Sequence, residues 1–591
     1  MIESKMSSEL ITALGVTDEE REKSRELEVG YEDGAWELLI RYTGSLDQIR
    51  EDLGLQVEEL LGGFAVIRIR EYLIGLLSEY PQIDYIEKPK SLLLSEMEGI
   101  VASCVSRVRL PDYDLTGRGT LVACLDSGVD YRHPDFRNLD GSTRIVVMWD
   151  QTVPGNPPLG FADGSLYTRE EINAALENEP VDAYDGILIS PFFPGDGEVP
   201  EFDATGHGTA VLGIMAGNGA SSGRQIVGVA PEAEMVIVKL GSPDGRGFPR
   251  TTQLMRGVDF AVRYAIKAGK PLAINISYGN NYGAHNGNSM LERYLDTVSG
   301  LYRLSIAAGT GNEGTTARHT SGKLSNFQSE VQEIYVGEYL TSFNLQLWKH
   351  YLDEFDLVIE TPDGRRIGPV SSYEQIQKYV LREDVIAIYY GEPSPYDPEQ
   401  EIYLSWIPAR DYVTPGIWRI YLSPGRIVSG DYQMWLPSAG STSAEVAFVR
   451  PSIFNTLVIP STARSVLSVA AYDSRNDTYA AFSGRGENVE QGLLRVVKKP
   501  DLAAPGVGIN TCLAGGGYGI FSGTSFATPF VTGAAALLMQ YGIVDGRDPY
   551  LYGEKVRASL IRGARKLPFQ ELQPSPRVGW GALCVSASLP V

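Results

Sequence analysis

Three residues of the chain have the types and surroundings that nucleophilic catalysis requires, and Ser525 is the first of them. It lies in a stretch of small residues, 523–527 (Gly-Thr-Ser-Phe-Ala), at the start of an apolar segment that is predicted to be a buried helix. In the first turn of a helix, unpaired backbone N–H groups favour developing negative charge. Because a serine hydroxyl is inert at neutral pH without a base, Ser525 requires a histidine and a carboxylate as partners.

Candidates for both partners occur upstream. His207 stands between two glycines ahead of an apolar segment, and Asp126 ends the apolar strand predicted over 121–126. A buried carboxylate is costly unless it is paired, and a histidine Nδ1–H is a natural partner that leaves Nε2 free to accept the serine proton. Each residue alone has a structural interpretation: a turn serine, a core histidine, or a helix cap by Asp126. Their combination favours catalysis.

The chain order Asp126, His207, Ser525, with these local sequences, resembles the subtilisin-like serine proteases of the peptidase S8 family. Segment 306–314 (Ile-Ala-Ala-Gly-Thr-Gly-Asn-Glu-Gly) is similar to the subtilase strand that ends in the oxyanion-hole asparagine. The resemblance implies that the Asn312 side chain and the Ser525 backbone N–H bind the oxyanion. It also implies a serine endopeptidase that cleaves proteins or peptides without a cofactor.

A further segment, 275–279 (Asn-Ile-Ser-Tyr-Gly), resembles the subtilase segment that pairs with the substrate backbone. For Tyr278, ordinary packing is the alternative role. The resemblance implies an S1 pocket whose walls come from two short runs: Ser277, Tyr278 and Gly279, and Gly309, Thr310 and Gly311.

Composition and charge narrow the class of protein. The chain has 591 residues, 43% of them hydrophobic, and a net charge of −23, which indicates a globular protein and argues against a nucleic-acid partner. The four cysteines and five histidines are scattered without metal-ligand spacing, so no metal site is predicted and calcium binding is left undecided. No disulfide is predicted, although a bridge from Cys104 to another cysteine stays open.

The N-terminus has no apolar signal segment, and we expect no stretch to reach the ~18–20 apolar residues of a membrane span. We therefore predict cytoplasmic synthesis and no membrane partner.

Residues 1–96 are predicted to form a separate α/β domain, because alternating strands, a helix and a further strand follow one another there. This region resembles the subtilase prodomain, which acts as a folding template and inhibitor; an unrelated accessory domain is the alternative. The resemblance implies self-cleavage roughly ten residues after Tyr85, in the region of Leu94, Ser95, Glu96 and Met97.

The remaining chain is predicted to hold an α/β core in two parts, 97–323 and 455–591, the second carrying the nucleophile. Between them, residues 324–454 show short alternating strands separated by turn signals, which predict an all-β sandwich or jelly roll. The predicted fold class is thus α/β: a subtilisin-like parallel-sheet core with an N-terminal α/β prodomain and an inserted all-β, jelly-roll-like domain.

This domain order resembles the Csp germination proteases and related clostridial subtilases. The resemblance implies that the cleaved prodomain stays bound and that the enzyme activates a zymogen during spore germination, in association with the spore. Two alternatives remain: a non-catalytic signalling or scaffold protein that keeps the triad as a relic, and a protease limited to its own processing.

Overall fold

The computed structural model describes residues 2–22, 24–90, 101–177, 203, 205–241, 248–370, 372, 374–487 and 498–590. The predicted processing region, Leu94 to Met97, lies outside these residues.

The N-terminal domain is one five-stranded antiparallel sheet with helices on one face. Its strand order is β1-β2-β4-β3, with β5 also paired to β2. Alternate residues of β2 face opposite sides: Trp36, Leu38 and Ile40 pack on the domain's own helices, whereas Leu39 packs on the protease core. The elements are β1 Tyr31–Glu32, β2 Ala35–Tyr42, β3 Gln56–Leu60, β4 Phe64–Arg70 and β5 Ile83–Glu87, and α1 Ser8–Gly15, α2 Asp18–Glu22, α3 Arg25–Glu28, α4 Asp47–Leu53 and α5 Ile74–Glu79.

The first part of the core supplies most of a largely parallel sheet and its flanking helices. The central strands are continuous apolar runs because helices cover both faces of the sheet. Val122 and Cys124 of the strand carrying Asp126 face one hydrophobic cluster, and Leu121, Ala123 and Leu125 face the other. The elements are β6 Leu121–Asp126, β7 Ile145–Asp150, β8 Ser165–Thr168, β9 Glu234–Lys239, β10 Leu272–Ile276 and β11 Leu304–Gly309, and α6 Val105–Val108, α7 Arg169–Glu177, α8 His207–Ala216, α9 Thr251–Ala268 and α10 Met290–Ser299.

The inserted region forms two antiparallel sheets, of six and five strands, around a shared apolar core. The first of its strands starts at His319, before the predicted boundary at 324, because His319–Lys323 pairs with a later strand although it lacks an alternating apolar pattern. The strands are β12 His319–Lys323, β13 Glu330–Val336, β14 Phe343–His350, β15 Phe355–Glu360, β16 Arg366–Val370, β17 Ile376–Val380, β18 Asp384–Tyr390, β19 Glu399–Pro408, β20 Gly416–Pro424, β21 Asp431–Trp435 and β22 Val446–Phe448.

The last part of the chain completes the core sheet, whose order becomes β24-β23-β11-β10-β6-β9-β7-β8 with β25 on β23. The elements are β23 Leu467–Asp473, β24 Thr478–Tyr479, β25 Leu502–Pro505, β26 Ile509–Cys512 and β27 Tyr518–Phe521, and α11 Thr524–Met539, α12 Glu554–Gly563 and α13 Val585–Ser588.

Helix α11 continues into a π-helical turn, so that Thr524–Val544 is long and apolar enough to cross a membrane by length and composition. The expectation that no stretch reaches this length is therefore wrong. Of its most apolar window, 83% is buried inside the protein, which is the setting of a core helix.

A disulfide joins Cys104 to Cys584, contrary to the prediction of no disulfide. The two residues are 480 positions apart in sequence, so no local spacing indicates the bridge. The short helices α6 and α13, which follow the two cysteines, pack together and bring their Cα atoms to 4.8 Å. Cys124 and Cys512 are buried free thiols.

We expect the denatured, unreduced protein to expose two reactive thiols per chain and the reduced protein four, because two of the four cysteines are bridged. Colorimetric thiol titration in denaturant measures this directly. A titre of four thiols without reductant would show that the bridge does not form.

Candidate active site

Asp126 and His207 meet at the carboxyl end of the parallel sheet. Asp126 ends β6 and His207 begins α8, and the His207 Nδ1 lies 2.6 Å from the Asp126 Oδ1. Gly208 permits this approach, since a Cβ there would lie only 2.0 Å from the Gly128 carbonyl oxygen. The Ser127 N–H donates to Asp126 Oδ1 at 2.8 Å, and both side chains of the pair are nearly fully buried. The pair is thus held in one orientation.

A second carboxylate, Asp203, fixes the start of the helix that carries His207. It accepts hydrogen bonds from the Thr209 N–H at 2.8 Å and from the Ser127 hydroxyl at 2.7 Å. Sequence reasoning did not assign this residue. Its signal was an acid three residues before a Gly-His-Gly turn, a position from which a side chain can cap the helix.

Ser525 lies in the first turn of α11, as predicted, and is 2% exposed. Its hydroxyl donates to the Ser277 carbonyl at 3.1 Å, and the Ser277 hydroxyl donates to the Ser525 carbonyl at 2.7 Å. The neighbouring Phe526 ring packs against the His207 imidazole, with centroids 4.7 Å apart. Ser525 therefore directly precedes the residue that packs on His207, and its own hydroxyl is bonded to Ser277.

Asn312 follows β11 and faces the same helix start. Its Oδ1 accepts from the Thr524 N–H at 3.1 Å and from the Thr524 hydroxyl at 3.2 Å. The Gly311 N–H donates to the Thr524 hydroxyl at 3.0 Å. With the amide oxygen held in this way, the Asn312 N–H₂ points away from Thr524 and is available as a donor. Sequence reasoning missed this role of Thr524.

We expect Thr524→Val to lower kcat for a peptide substrate about tenfold with little change in KM. The substitution keeps the shape of the side chain but removes the hydroxyl's hydrogen bond to the Asn312 amide oxygen and the one it accepts from the Gly311 N–H, each worth about 0.5–1.5 kcal/mol. Steady-state kinetics measure the effect, and Thr528→Val on the next turn is the matched control. Equal effects of the two variants would contradict the orienting role.

The predicted pocket residues surround a cavity of about 230 Å³ beside Ser525. Five of the six predicted wall residues line it: Ser277, Tyr278, Gly279, Gly309 and Gly311. Thr310 does not; it is fully buried, and its hydroxyl bonds to that of Ser483 at 3.1 Å. Thr310 follows the end of β11, and the residues on either side of it, Gly309 and Gly311, line the cavity.

The far side of the cavity comes from residues that sequence reasoning did not assign. They include Glu313 and, from the end of the inserted region, Ser438, Ala439 and Gly440. The Ala439 N–H donates to the Glu313 carboxylate at 3.2 Å, and burial raises the pKa of Glu313. The cavity therefore has glycine walls and a polar end.

Within the described part of the chain, one cluster has metal-ligand geometry: His133, Asp135 and Cys512. Its ligand atoms already serve one another and their neighbours. The Asp135 carboxylate accepts from the Tyr518 hydroxyl at 2.7 Å and from the Cys512 thiol at 3.4 Å. Burial raises the pKa of the Cys512 thiol well above its usual range, so the thiol is neutral. The three side chains therefore belong to a hydrogen-bonded network.

Comparison of the sequence with protein families gives matches to two family profiles. The profile of the subtilase family, Peptidase S8, matches residues 117–377 and 438–581, and that of the Csp protease B prodomain matches residues 4–90. The chain therefore belongs to the subtilase family of serine proteases. Its fold is the subtilisin-like α/β fold with an N-terminal prodomain.

Individual proteins of known sequence or structure show which members of the family this chain resembles. The chain is similar to the CspB protease of Clostridium perfringens, with 34% identity and a TM-score of 0.73 over 82% of this chain and 95% of that one. The minor extracellular protease Vpr of Bacillus subtilis is 21% identical over 484 residues, 80% of this chain and 51% of Vpr. Subtilisin of Bacillus pumilus is 38% identical over 102 residues, 17% of this chain and 28% of that protein. The matched part of the chain thus spans about half of the length of Vpr and less than a third of that of the Bacillus pumilus subtilisin.

Proposed function

We propose that this protein is a serine endopeptidase whose triad is Asp126, His207 and Ser525. The observation that carries the proposal is the 2.6 Å contact between His207 Nδ1 and Asp126 Oδ1, next to a serine in the first turn of a helix. That contact fixes the tautomer in which Nε2 is the proton acceptor.

The mechanism follows from these positions. The Ser525 hydroxyl turns from the Ser277 carbonyl to His207 and attacks the scissile carbonyl carbon as Nε2 takes its proton. Asp126 stabilises the resulting imidazolium, while the Asn312 side chain and the Ser525 N–H donate to the oxyanion. The imidazolium then protonates the leaving amine, and water hydrolyses the acyl-enzyme by the same route.

We further propose that the enzyme cleaves its own prodomain within Leu94 to Met97 and that the prodomain then stays bound. Buried ion pairs between prodomain and core support retention. Arg256 of α9 lies 2.9 Å from the Glu37 carboxylate and 2.7 Å from that of Glu58. Burial alone would raise the pKa of Glu37, but the charges of Arg256 and Arg250 outweigh it and lower that pKa to about 2, so the Glu37 charge persists at physiological pH.

The physiological substrate we propose is a protein zymogen, processed in a spore-associated setting after cytoplasmic synthesis. The support is the resemblance to the Csp germination proteases and the match to the Csp protease B prodomain. A prodomain that stays bound to the core suits an enzyme whose access to substrate is controlled.

The deciding experiment is to treat the purified protein with a fluorophosphonate probe and to determine its N-termini. We expect labelling at Ser525 and a second N-terminus near residue 96. An uncut chain that also resists labelling after prodomain removal would identify a non-catalytic relic. A cut chain that turns over no peptide in trans would identify a protease limited to self-processing.

A further inference from the structure

A second groove lies on the core, at the edge of the parallel sheet opposite the active site. It has a volume of about 790 Å³ and is lined by turns that precede β6, β7 and β9. Asp126 and Gly309 stand instead at the carboxyl ends of their strands. Because β6 has six residues, its two ends are roughly 20 Å apart. The groove is therefore separate from the Ser525 site.

The groove concentrates positive charge on an acidic protein. The chain has 51 Lys and Arg residues against 74 Asp and Glu residues. The groove has the opposite balance, because five arginines and only two carboxylates of the described residues, those of Asp140 and Glu232, line it. The arginines are Arg109, Arg118, Arg137, Arg144 and Arg224.

Most of these arginines have no carboxylate partner. Arg118 lies 3.6 Å from Asp114. For the other four, no carboxylate oxygen of the described residues lies within 4.0 Å. The two groove acids are engaged locally: Asp140 accepts from the Ser142 N–H at 3.0 Å, and Glu232 from the Thr116 hydroxyl at 2.8 Å.

Backbone carbonyls hold several of the guanidinium groups in place without neutralising them. Arg109 donates to the Val229 carbonyl at 3.1 Å. The terminal nitrogens of Arg144 donate to four backbone carbonyls, those of Asp135, Ala216, Pro231 and Ala233, so Arg144 contributes its charge to the groove rather than free donors. The Nε atoms of Arg109, Arg137 and Arg144 are buried with no hydrogen-bond partner among the described residues. Burial without a nearby anion lowers the pKa of Arg109 to about 10. An uncompensated, partly buried cation of this kind is costly unless an anion pairs with it.

We propose that this groove binds a small molecule with two or more phosphate or carboxylate groups. The guanidinium fork matches the paired oxygens of both anions, and several forks around one groove favour a ligand with several such groups. The volume is within the range of small-molecule sites, about 300–1,000 Å³. Because the groove and the cleft lie at opposite edges of the sheet, the ligand does not occupy the substrate site. The inference is independent of the proposed proteolytic function.

Calorimetric titration of the full-length Ser525→Ala chain with pyrophosphate, and separately with citrate, tests the proposal at constant ionic strength. We expect saturable binding of at least one of them at one site per chain. The double variant Arg137→Gln/Arg224→Gln should weaken binding at least about tenfold, since each lost charge-assisted hydrogen bond contributes about 1.5–3 kcal/mol. The matched control is Arg382→Gln/Arg410→Gln, two exposed arginines beside Glu383 of the inserted region.

Absence of saturable binding by both probes overturns the proposal, and so does equal weakening by the groove and control variants, which would indicate non-specific attraction. Circular dichroism checks that the variants are folded. If the double variant does not fold, Arg224→Glu decides the question, because Arg224 is exposed and its side chain makes no hydrogen bond to the described residues. Unchanged affinity in Arg224→Glu also overturns it.

Discussion

Ser525→Ala should abolish peptide hydrolysis and leave the prodomain attached as a single uncut chain. Removing the hydroxyl removes the only atom of the proposed triad that bonds to the substrate, so the oxyanion donors and binding alone remain. Loss of the equivalent serine in subtilisin costs about 2 × 10⁶ in kcat, and we expect a decrease of that order here. Denaturing electrophoresis measures processing, and a fluorogenic peptide measures turnover.

Ser522→Ala is the matched control for this variant. It removes a hydroxyl three residues away that accepts from the Gly508 N–H at 3.3 Å and lies outside the proposed triad. This variant should be processed and should hydrolyse peptide at the normal rate. Cleavage near residue 96 in Ser525→Ala would show that another protease, or another nucleophile, processes the chain.

Lys90→Met should destabilise the junction of the prodomain with the inserted region by about 3–5 kcal/mol at pH 7.5, the usual cost of removing one partner from a buried ion pair. The Lys90 ammonium lies 3.4 Å from Glu9 and 3.2 Å from Glu87, both in the prodomain. Glu401 of the inserted region joins the cluster through Gln346, whose amide also donates to Glu9 at 3.2 Å. Without the ammonium, these carboxylates repel one another inside the protein.

The same variant should recover stability as the pH falls to about 5. In the unsubstituted protein, burial raises the pKa of Glu87 and of Glu401. Burial also favours a raised pKa for Glu9, but the Lys90 charge, with smaller contributions from other groups, outweighs it, so the pKa of Glu9 is lowered. With the lysine gone, all three pKa values should be raised. A raised carboxyl pKa means that the folded state binds the proton more tightly than the unfolded state, so stability rises as the pH falls toward the unfolded value.

Urea unfolding of the Ser525→Ala chain, with and without the second substitution, measures this effect on an uncut protein. The control is Lys378→Met, because Lys378 forms a more exposed 2.6 Å pair with Glu20 between the inserted region and the prodomain. A pair in that setting is worth about 0–1 kcal/mol. Equal losses in the two variants, or a loss independent of pH, would contradict the account of the junction.

The sequence predicts the parts of this protein that depend on local pattern. Apolar runs bounded by glycines indicate β6 and α11, and the functional side chains sit at their ends, where parallel strands and helix starts converge. The position of Ser525 in the first turn and the approach of His207 to Asp126 follow from this. The roles of these residues in catalysis remain predictions that the variants test.

What the sequence does not predict depends on contacts between distant segments. Cys104 and Cys584 carry no spacing signal, because their proximity results from the packing of two short helices that are 480 residues apart in sequence. Ser438 and Ala439 reach the pocket only because the inserted region folds back on the core.

The inserted region leaves and rejoins the core at nearly the same point. The Phe448 N–H donates to the Ala317 carbonyl at 2.9 Å, and the Ser452 N–H donates to the His319 carbonyl at 2.8 Å. An ancestor could therefore have acquired some 130 residues at this turn without stretching the core, much as a domain is spliced into a surface loop. Because Ser438 to Gly440 line the cavity beside Ser525, the inserted region supplies one side of that cavity, and removing the region would reshape the cleft.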